Sequence, residues 1–225
     1  MARLNENLDF LNVWTMEFYK AETKSNRADH HAPMFKRSWD FDDQYTAVFA
    51  VNHWIRKGMS PDKILLGIPL FGHKWKLNSE DIAPPALAAG AGAPGKFLKN
   101  VGMMAFYEIC DSVNSAGWTE IQDPSRIMGP YAVSPNSPKT WVGYDDPAMA
   151  IVKSKYVLSK GLGGVFVYSI DMDDFRNICG GGANPILTAI SKTLKGEEFI
   201  PMPTSKNWVD STISSEESGF CECVC

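Results

Sequence analysis

Two apolar runs that do not alternate with polar residues constrain the fold of this chain more than any other feature of its sequence. Residues 8–19 and 63–72 are apolar and aromatic, and each predicts a buried strand. Between them, apolar residues recur at helical spacing from the acids Asp42 and Asp43 to Gly58. The order strand, helix, strand predicts a parallel sheet that is covered on both faces.

The region that follows breaks this α/β pattern. Residues 77–101 are rich in alanine, glycine and proline, residues 103–110 predict a short helix, and residues 123–144 predict small antiparallel strands. We therefore interpret residues 75–140 as a subdomain that is inserted between two parts of the α/β pattern.

The pattern then resumes with one further strand between two helices. Pro147 begins a helix that runs to Lys160, residues 165–170 form an apolar run, and a final helix spans residues 184–194. From residue 196 the composition shifts to serine, threonine, glutamate and proline, which is typical of a flexible linker.

Charge and hydropathy exclude two classes of partner. The net charge is −4, so the chain lacks the basic surface that binds nucleic acid or an anionic membrane. No apolar run reaches the length of about 18 residues that predicts a membrane span. Charged residues interrupt the start of the chain, which does not read as a signal peptide, so we expect either a cytosolic protein or a missing N-terminus.

The chain has five cysteines, an odd number that leaves one without a partner in the chain. Cys110 and Cys179 lie within the globular part, whereas Cys221, Cys223 and Cys225 crowd the end. The terminal three suggest either a zinc site or the start of a cysteine-rich module. The ligand count of a structural zinc site favours the module.

Three segments resemble glycoside hydrolase family 18, the chitinases and chitinase-like proteins. They are Pro-Asp-Lys-Ile-Leu-Leu-Gly-Ile-Pro-Leu-Phe-Gly at 61–72, Trp-Val-Gly-Tyr-Asp-Asp-Pro at 141–147, and Lys-Gly-Leu-Gly-Gly-Val-Phe-Val-Tyr-Ser-Ile-Asp-Met-Asp-Asp-Phe at 160–175. They occur in the order and at the spacing of the family, and the resemblance covers roughly residues 5–195.

The resemblance implies an α/β fold, a partial (β/α)8 TIM barrel that contains strands six to eight and a small inserted α+β subdomain. It also implies a disulfide between Cys110 and Cys179, an oxidising, extracellular location and, for the full-length protein, a monomer. On this basis the chain divides into strands six and seven with their helix (1–74), the subdomain (75–140), the last barrel helices with strand eight (141–195), and a linker with the start of a cysteine-rich segment (196–225).

The catalytic motif of the family is absent from these 225 residues. Family 18 enzymes use the N-acetyl group of the substrate as the nucleophile, and a glutamate that ends an Asp-x-x-Asp-x-Asp-x-Glu motif protonates the leaving oxygen. The acid-rich stretches that begin at Asp40 and Asp171 lack this spacing and the glutamate. We therefore assign no catalytic residue, metal or cofactor to the chain.

The positions that match the substrate cleft of the family depart from its active pattern at the end of strand six. Active members carry Met-x-Tyr-Asp where this chain has Trp14, Thr15, Met16 and Glu17. The tyrosine hydroxyl is lost at Met16, and the Glu17 carboxylate reaches one methylene further. Small misplacements of this kind cost much in a reaction that depends on positioning.

Strands seven and eight show the same loss of polar groups. A Tyr-Gly-Arg sequence of active members corresponds to Phe71, Gly72 and His73, and Tyr168 replaces a tryptophan beneath the central sugar. A tyrosine still offers an aromatic face to a sugar. Trp141 either stacks on a sugar or packs inside the subdomain, and the sequence does not separate these two roles.

Two further pairs of residues have simpler interpretations than a catalytic or metal site. Asp145 and Asp146 precede a proline and are predicted to cap a helix. His30 and His31 are adjacent and point in different directions, which favours the surface of a loop over a metal site.

Retained aromatic surface and lost polar groups together predict binding of chitin or N-acetylglucosamine oligosaccharides without hydrolysis. One alternative is the C-terminal fragment of an active endo-chitinase whose acid/base glutamate lies upstream. Another is a scaffold with no sugar role. Because strands six and eight would have unpaired outer edges, the isolated chain is also predicted to aggregate.

Overall fold

The computed structural model describes residues 2–20, 26–201 and 208–209. The terminal cysteines and their predicted module lie outside these residues. The helices are α1 (Ala2–Asn7), α2 (Ala47–Arg56), α3 (Phe106–Ser115), α4 (Pro147–Ser159) and α5 (Pro185–Leu194). The strands are β1 (Leu11–Val13), β2 (Arg27–Ala28), β3 (Ile64–Pro69), β4 (Phe71–Leu77), β5 (Ala86–Ala91), β6 (Met103–Ala105), β7 (Thr119–Ile121), β8 (Tyr131–Val133), β9 (Thr140–Tyr144), β10 (Gly164–Tyr168) and β11 (Trp208–Val209).

The predicted parallel sheet is confirmed: it has three strands in the order β1–β3–β10. The central strand β3 buries Ile64, Leu66 and Ile68 completely, and α2 and α4 pack against it. β1 covers only Leu11–Val13 of the predicted strand over 8–19, and within that range Glu17 has a φ of 58°, which is not a strand conformation.

Helix α2 begins later than the sequence predicts. Asp42 and Asp43 do not lie in its first turn; they belong to the turns that precede it. The N-cap is Thr46, whose side-chain oxygen accepts a hydrogen bond from the backbone N–H of Phe49. A hydroxyl that bonds directly to a free N–H of the first turn outweighs the weaker attraction between acids and the helix dipole.

The inserted region contributes most strands of a second sheet, to which β2 and β11 are added from outside it. The strand order is β11–β7–β8–β9–β4–β5–β2, with β6 also paired to β4. β4 continues from Phe71 to Leu77 and pairs antiparallel with β9, so the parallel pattern ends before this strand. The predicted domain boundaries at 74/75 and 140/141 fall inside these two strands. β4 pairs with residues of β9 that lie up to about 70 positions away in the sequence. Local composition, which suggested a loop, does not show such distant partners.

A disulfide joins the inserted region to the segment after β10. Cys110 on α3 and Cys179 are bonded, across 69 residues of sequence, as the resemblance implied. Both cysteines are buried. Helices α4 and α5 pack on each other beside this connection and complete the main core with their apolar faces.

The outer edges of β1 and β10 have no strand partner among the described residues. Val165, Phe166 and Val167 of β10 remain partly exposed, whereas the neighbouring β3 is largely buried. Such an edge exposes unpaired backbone N–H and C=O groups together with apolar side chains.

We therefore expect the isolated chain to self-associate at micromolar concentration. Lysine in place of Val165 and Val167 should reduce this association, because charge on an edge strand opposes strand pairing. Sedimentation velocity over a concentration series is the measurement. A single monomeric species with a sharp, cooperative melt would contradict the expectation.

Candidate functional site

Two exposed aromatic side chains meet at the carboxyl edge of the parallel sheet. Trp14 follows β1 and Tyr168 ends β10, and parallel strands bring their carboxyl ends together at one edge. Their ring centroids are 5.1 Å apart with planes at 62°. Each side chain leaves 44% of its surface exposed. We call these two residues the aromatic pair; they present a surface on which a flat, weakly polar ring can lie.

Glu17 places a carboxylate close to this pair, in a conformation that is unusual for a residue other than glycine. Its φ is 58°, and the backbone N–H donates to Nδ1 of His31 at 3.4 Å. Its Oε1 accepts a hydrogen bond from Nε2 of His73 at 3.1 Å and lies 3.8 Å from Nζ of Lys20. The hydrogen bond from His73 lowers the pKa of Glu17, so the carboxylate is charged at neutral pH.

His30 and His31 are completely buried, and the prediction that they lie on a loop surface is wrong. Nδ1 of His30 accepts from the N–H of Ala32 at 3.1 Å, so Nε2 carries the proton and donates to the Tyr144 carbonyl at 2.9 Å. Gly129 makes room for this contact, because a Cβ there would lie 2.9 Å from Nε2 of His30. Each ring makes two hydrogen bonds to backbone groups, which offset the free-energy cost of its burial. The polar sequence of the loop does not show these bonds.

The second histidine links the buried region to the cleft. Nε2 of His31 donates to the Phe71 carbonyl at 3.2 Å, and its ring lies 4.9 Å from His73 and 5.7 Å from His30. Three imidazoles therefore extend in a row from Glu17 into the core. In this row, burial lowers the pKa of His30 to about 3 and the pKa of His31 well below its ordinary value.

These two histidines should make the fold sensitive to acid. Both bind a proton near pH 6.5 when unfolded but stay neutral when folded, so they contribute stability above that pH and lose it as the pH falls. Burial raises the pKa of Asp145 to about 6, so below pH 6 the folded chain takes up one proton more at this carboxyl than the unfolded chain does. This uptake offsets the loss of stability that one of the two histidines causes. We expect the free energy of unfolding to fall by about 1.4 kcal/mol per pH unit between roughly pH 6 and pH 4. Urea unfolding at several pH values measures the slope, and a His30→Asn variant whose slope is no shallower would contradict this origin.

Three residues predicted to line the cleft are buried instead. Met16 and Phe71 are 2% and 1% exposed and belong to the main core. Trp141 is fully buried, stacks on Tyr131 at 5.2 Å and donates from Nε1 to the Ile82 carbonyl at 3.2 Å. Its surroundings match packing within the inserted region. β9 pairs with β4 across this region, which turns the Trp141 side chain inward.

His73 is also almost fully buried, at 1% exposure. It touches Glu17 through Nε2, while its Nδ1 has no hydrogen-bond partner among the described residues. Of the seven predicted cleft residues, Trp14, Tyr168 and Glu17 therefore face the open side, and His73 supports Glu17 from behind.

The two acids before α4 have different roles. Asp146 is the N-cap and accepts from the N–H of Met149 at 2.7 Å, as predicted. Asp145 is fully buried and forms an ion pair with the equally buried Lys153, whose Nζ also donates to the Ala32 carbonyl at 2.9 Å. Sequence reasoning missed Lys153, since a lysine on a helix is usually solvated.

The aromatic pair can stack on a ring of a ligand, and the Glu17 carboxylate can accept hydrogen bonds from it. Within residues 2–20, 26–201 and 208–209, no three metal-ligating side chains are grouped so as to hold an ion. No helix in the same part of the chain is long and apolar enough to cross a membrane.

Comparison with known proteins identifies the family of this chain. The model of the family "Glycosyl hydrolases family 18" matches residues 1–173. "Probable chitinase 10" of Drosophila melanogaster is 37% identical over 196 residues, which are 87% of this chain and 8% of the relative. Catalytic domain 2 of the Ostrinia furnacalis Group II chitinase superposes with a TM-score of 0.84 at 33% identity, over 90% of this chain and 52% of that one.

A human protein, YKL-39, superposes with a TM-score of 0.80 at 34% identity over 86% of this chain and 52% of that one. It is described as a pseudo-chitinase with retained chitooligosaccharide binding properties. The chain thus spans about half of each solved relative, and the partial barrel is that of these chitinase domains. The chain belongs to glycosyl hydrolase family 18.

Proposed function

We propose that this chain forms one wall of a groove that binds chitin or N-acetylglucosamine oligosaccharides without cutting them. The observation that carries the proposal is the aromatic pair, Trp14 and Tyr168, which is exposed at the carboxyl edge of the barrel sheet beside the ionised Glu17. Aromatic faces take up the C–H faces of a sugar, and a carboxylate accepts hydrogen bonds from its hydroxyl or amide groups.

The groups that stand at the site support the proposed lack of hydrolysis by this chain. The 225 residues contain no Asp-x-x-Asp-x-Asp-x-Glu motif to protonate a leaving oxygen. Met16, at the place of the tyrosine that holds the N-acetyl group in active members, is buried in the core. Glu17 is ionised and held by His73, so it accepts hydrogen bonds rather than donating a proton.

The likeness to YKL-39 supports a binding role, since that protein retains chitooligosaccharide binding as a pseudo-chitinase. The formed disulfide supports an extracellular protein, because disulfides persist in oxidising compartments. We further propose that the full-length protein is a monomer.

Binding is tested by isothermal titration of an N-acetylglucosamine tetramer. We expect Trp14→Ala and Tyr168→Ala each to weaken binding at least about tenfold, because each removes a stacking face. The control is Phe10→Ala, which truncates an aromatic residue of similar exposure, 58%, before β1 at the opposite end of the sheet. Equal affinities for all four proteins, or no binding by the unaltered chain, would contradict the proposal.

A second function is favoured by the likeness to the Ostrinia protein, which is described as catalytic domain 2 of a Group II chitinase. In that case the chain is the C-terminal part of an endo-chitinase whose acid/base glutamate lies in another segment. Release of reducing sugar from chitin by the protein that contains this chain would favour this alternative over the binding role.

A further inference from the structure

A cavity of about 160 Å³ lies between the long loop after β1 and the turn before β5. The loop contributes Tyr19, Asp29, Trp39 and Phe41 to its lining, and the turn before β5 contributes Pro85. The proposed binding role of the aromatic pair does not use any of these residues.

A buried arginine organises this cavity. The Arg37 guanidinium forms a two-point hydrogen bond with Asp40, from Nε to Oδ2 at 2.9 Å and from Nη2 to Oδ1 at 2.7 Å. Its Nη1 donates to Oδ1 of Asp29 at 2.5 Å. Only 2% of the Arg37 side chain is exposed. A charge that is buried and fully paired in this way is rigid, because each carboxylate fixes one edge of a planar group.

The same arginine holds two aromatic rings in place. Its guanidinium carbon lies 4.9 Å from the ring centroid of Tyr19 and 5.2 Å from that of Trp39. Trp39 also donates from Nε1 to Asp29 at 3.2 Å, and the Tyr19 hydroxyl donates to Asp40 at 3.3 Å. Each ring is therefore fixed both at its polar edge and on the face that Arg37 covers.

The part of this cluster that faces outward is aromatic. Trp39 leaves 39% of its surface exposed, and Phe41 at the mouth of the cavity is fully exposed. An aromatic ring held rigidly suits a sugar, whose C–H face stacks on it. The carboxylates of Asp29 and Asp40, 5% and 4% exposed, hold Arg37 and the two rings in place. Because these side chains are already fixed, binding costs little conformational entropy.

A short segment of chain links the aromatic pair to this cavity. Tyr19 follows Trp14 by five residues, which span at most about 18 Å even when fully extended. Glu17 stands between them in sequence. A ligand of several sugar units that rests on the aromatic pair therefore has this cavity within reach.

From this geometry we infer that Trp39 and Tyr19 form a second sugar-stacking platform, which binds further units of the N-acetylglucosamine oligosaccharide that occupies the aromatic pair. The inference rests on the proposed binding function and names the loop after β1 as the determinant of preference for longer oligosaccharides. Trp39 acts by stacking, and Arg37 acts through Trp39 and Tyr19 as a positioning residue.

The test compares the affinities of the whole chain for the N-acetylglucosamine dimer and hexamer by isothermal titration. The gain in affinity from dimer to hexamer should fall about three- to tenfold in Trp39→Ala, while the affinity for the dimer stays unchanged. Trp39→Phe keeps a ring and should retain most of the gain. Phe97→Ala removes an aromatic side chain that is 51% exposed and lies outside this cavity, and it should alter neither affinity.

The outcomes separate this inference from the function on which it rests. If the unaltered chain binds neither oligosaccharide, both the binding function and the platform are overturned. If it binds both, but Trp39→Ala keeps the full gain, the platform alone is overturned. If Trp39→Ala also loses its affinity for the dimer, the Trp39→Phe variant decides. The platform is supported if Trp39→Phe restores the gain in affinity from dimer to hexamer, and it is overturned if that gain is not restored.

Discussion

Replacement of Lys153 by alanine should lower the free energy of unfolding by roughly 3–5 kcal/mol at pH 7. Lys153 and Asp145 are both completely buried and paired with each other, and Lys153 is the sole hydrogen-bond partner of the Asp145 side chain among the described residues. Without the lysine, the carboxylate is left in the core with no cation to offset its lost hydration. Urea unfolding followed by circular dichroism measures the change.

Two comparisons separate the loss of the pair from a general effect of shortening a lysine on α4. Lys155→Ala, two residues along the same helix but exposed, should change the stability by less than about 0.5 kcal/mol. Lys153→Met combined with Asp145→Leu should recover most of the loss, since two apolar groups replace a buried pair with little penalty. A double variant as unstable as Lys153→Ala alone would contradict this account.

The loss in Lys153→Ala should also depend on pH. Burial raises the pKa of Asp145 to about 6 even beside the lysine, and removal of the cation raises it further. A protonated Asp145 carries no buried charge, so the difference between the variant and the unaltered chain should shrink as the pH falls from 7 to 5. A difference that does not change with pH would indicate lost packing of the lysine stem instead.

Removal of the disulfide should be the second largest effect. The bond closes a loop of 69 residues, for which the chain-entropy relation gives about 4 kcal/mol. We expect Cys110→Ser with Cys179→Ser to lower the melting temperature by on the order of 10 °C, since about 2–4 °C corresponds to 1 kcal/mol in a domain of this size. Differential scanning calorimetry is the measurement.

The three terminal cysteines complicate this experiment, so both proteins should carry serine at Cys221, Cys223 and Cys225. In that background a reductant should lower the melting temperature of the chain with the disulfide to that of the double variant. The double variant itself should not respond to reductant. A melting temperature that the double substitution leaves unchanged would show that the core holds α3 and the segment after β10 together without the bond.

The parallel sheet and the cap of α4 were predictable from the sequence. Each depends on local rules: an apolar run without alternation reads as a buried strand, and an aspartate before a proline reads as a helix start. Trp14 lies within the predicted strand over 8–19, and Tyr168 within the apolar run over 165–170. Only the structure shows that β1 ends at Val13 and β10 at Tyr168, which brings the two rings to one edge of the sheet.

Tertiary structure alone decided which polar side chains are buried and which cleft positions stay open. His30 finds its partner at the Tyr144 carbonyl 114 residues away, and Lys153 reaches the Ala32 carbonyl across 121 residues. The Arg37 cluster likewise depends on how a long loop folds back on itself. A local stretch of sequence shows a polar side chain but not the distant group that offsets its burial, so only the folded chain reveals whether that side chain faces water or the core.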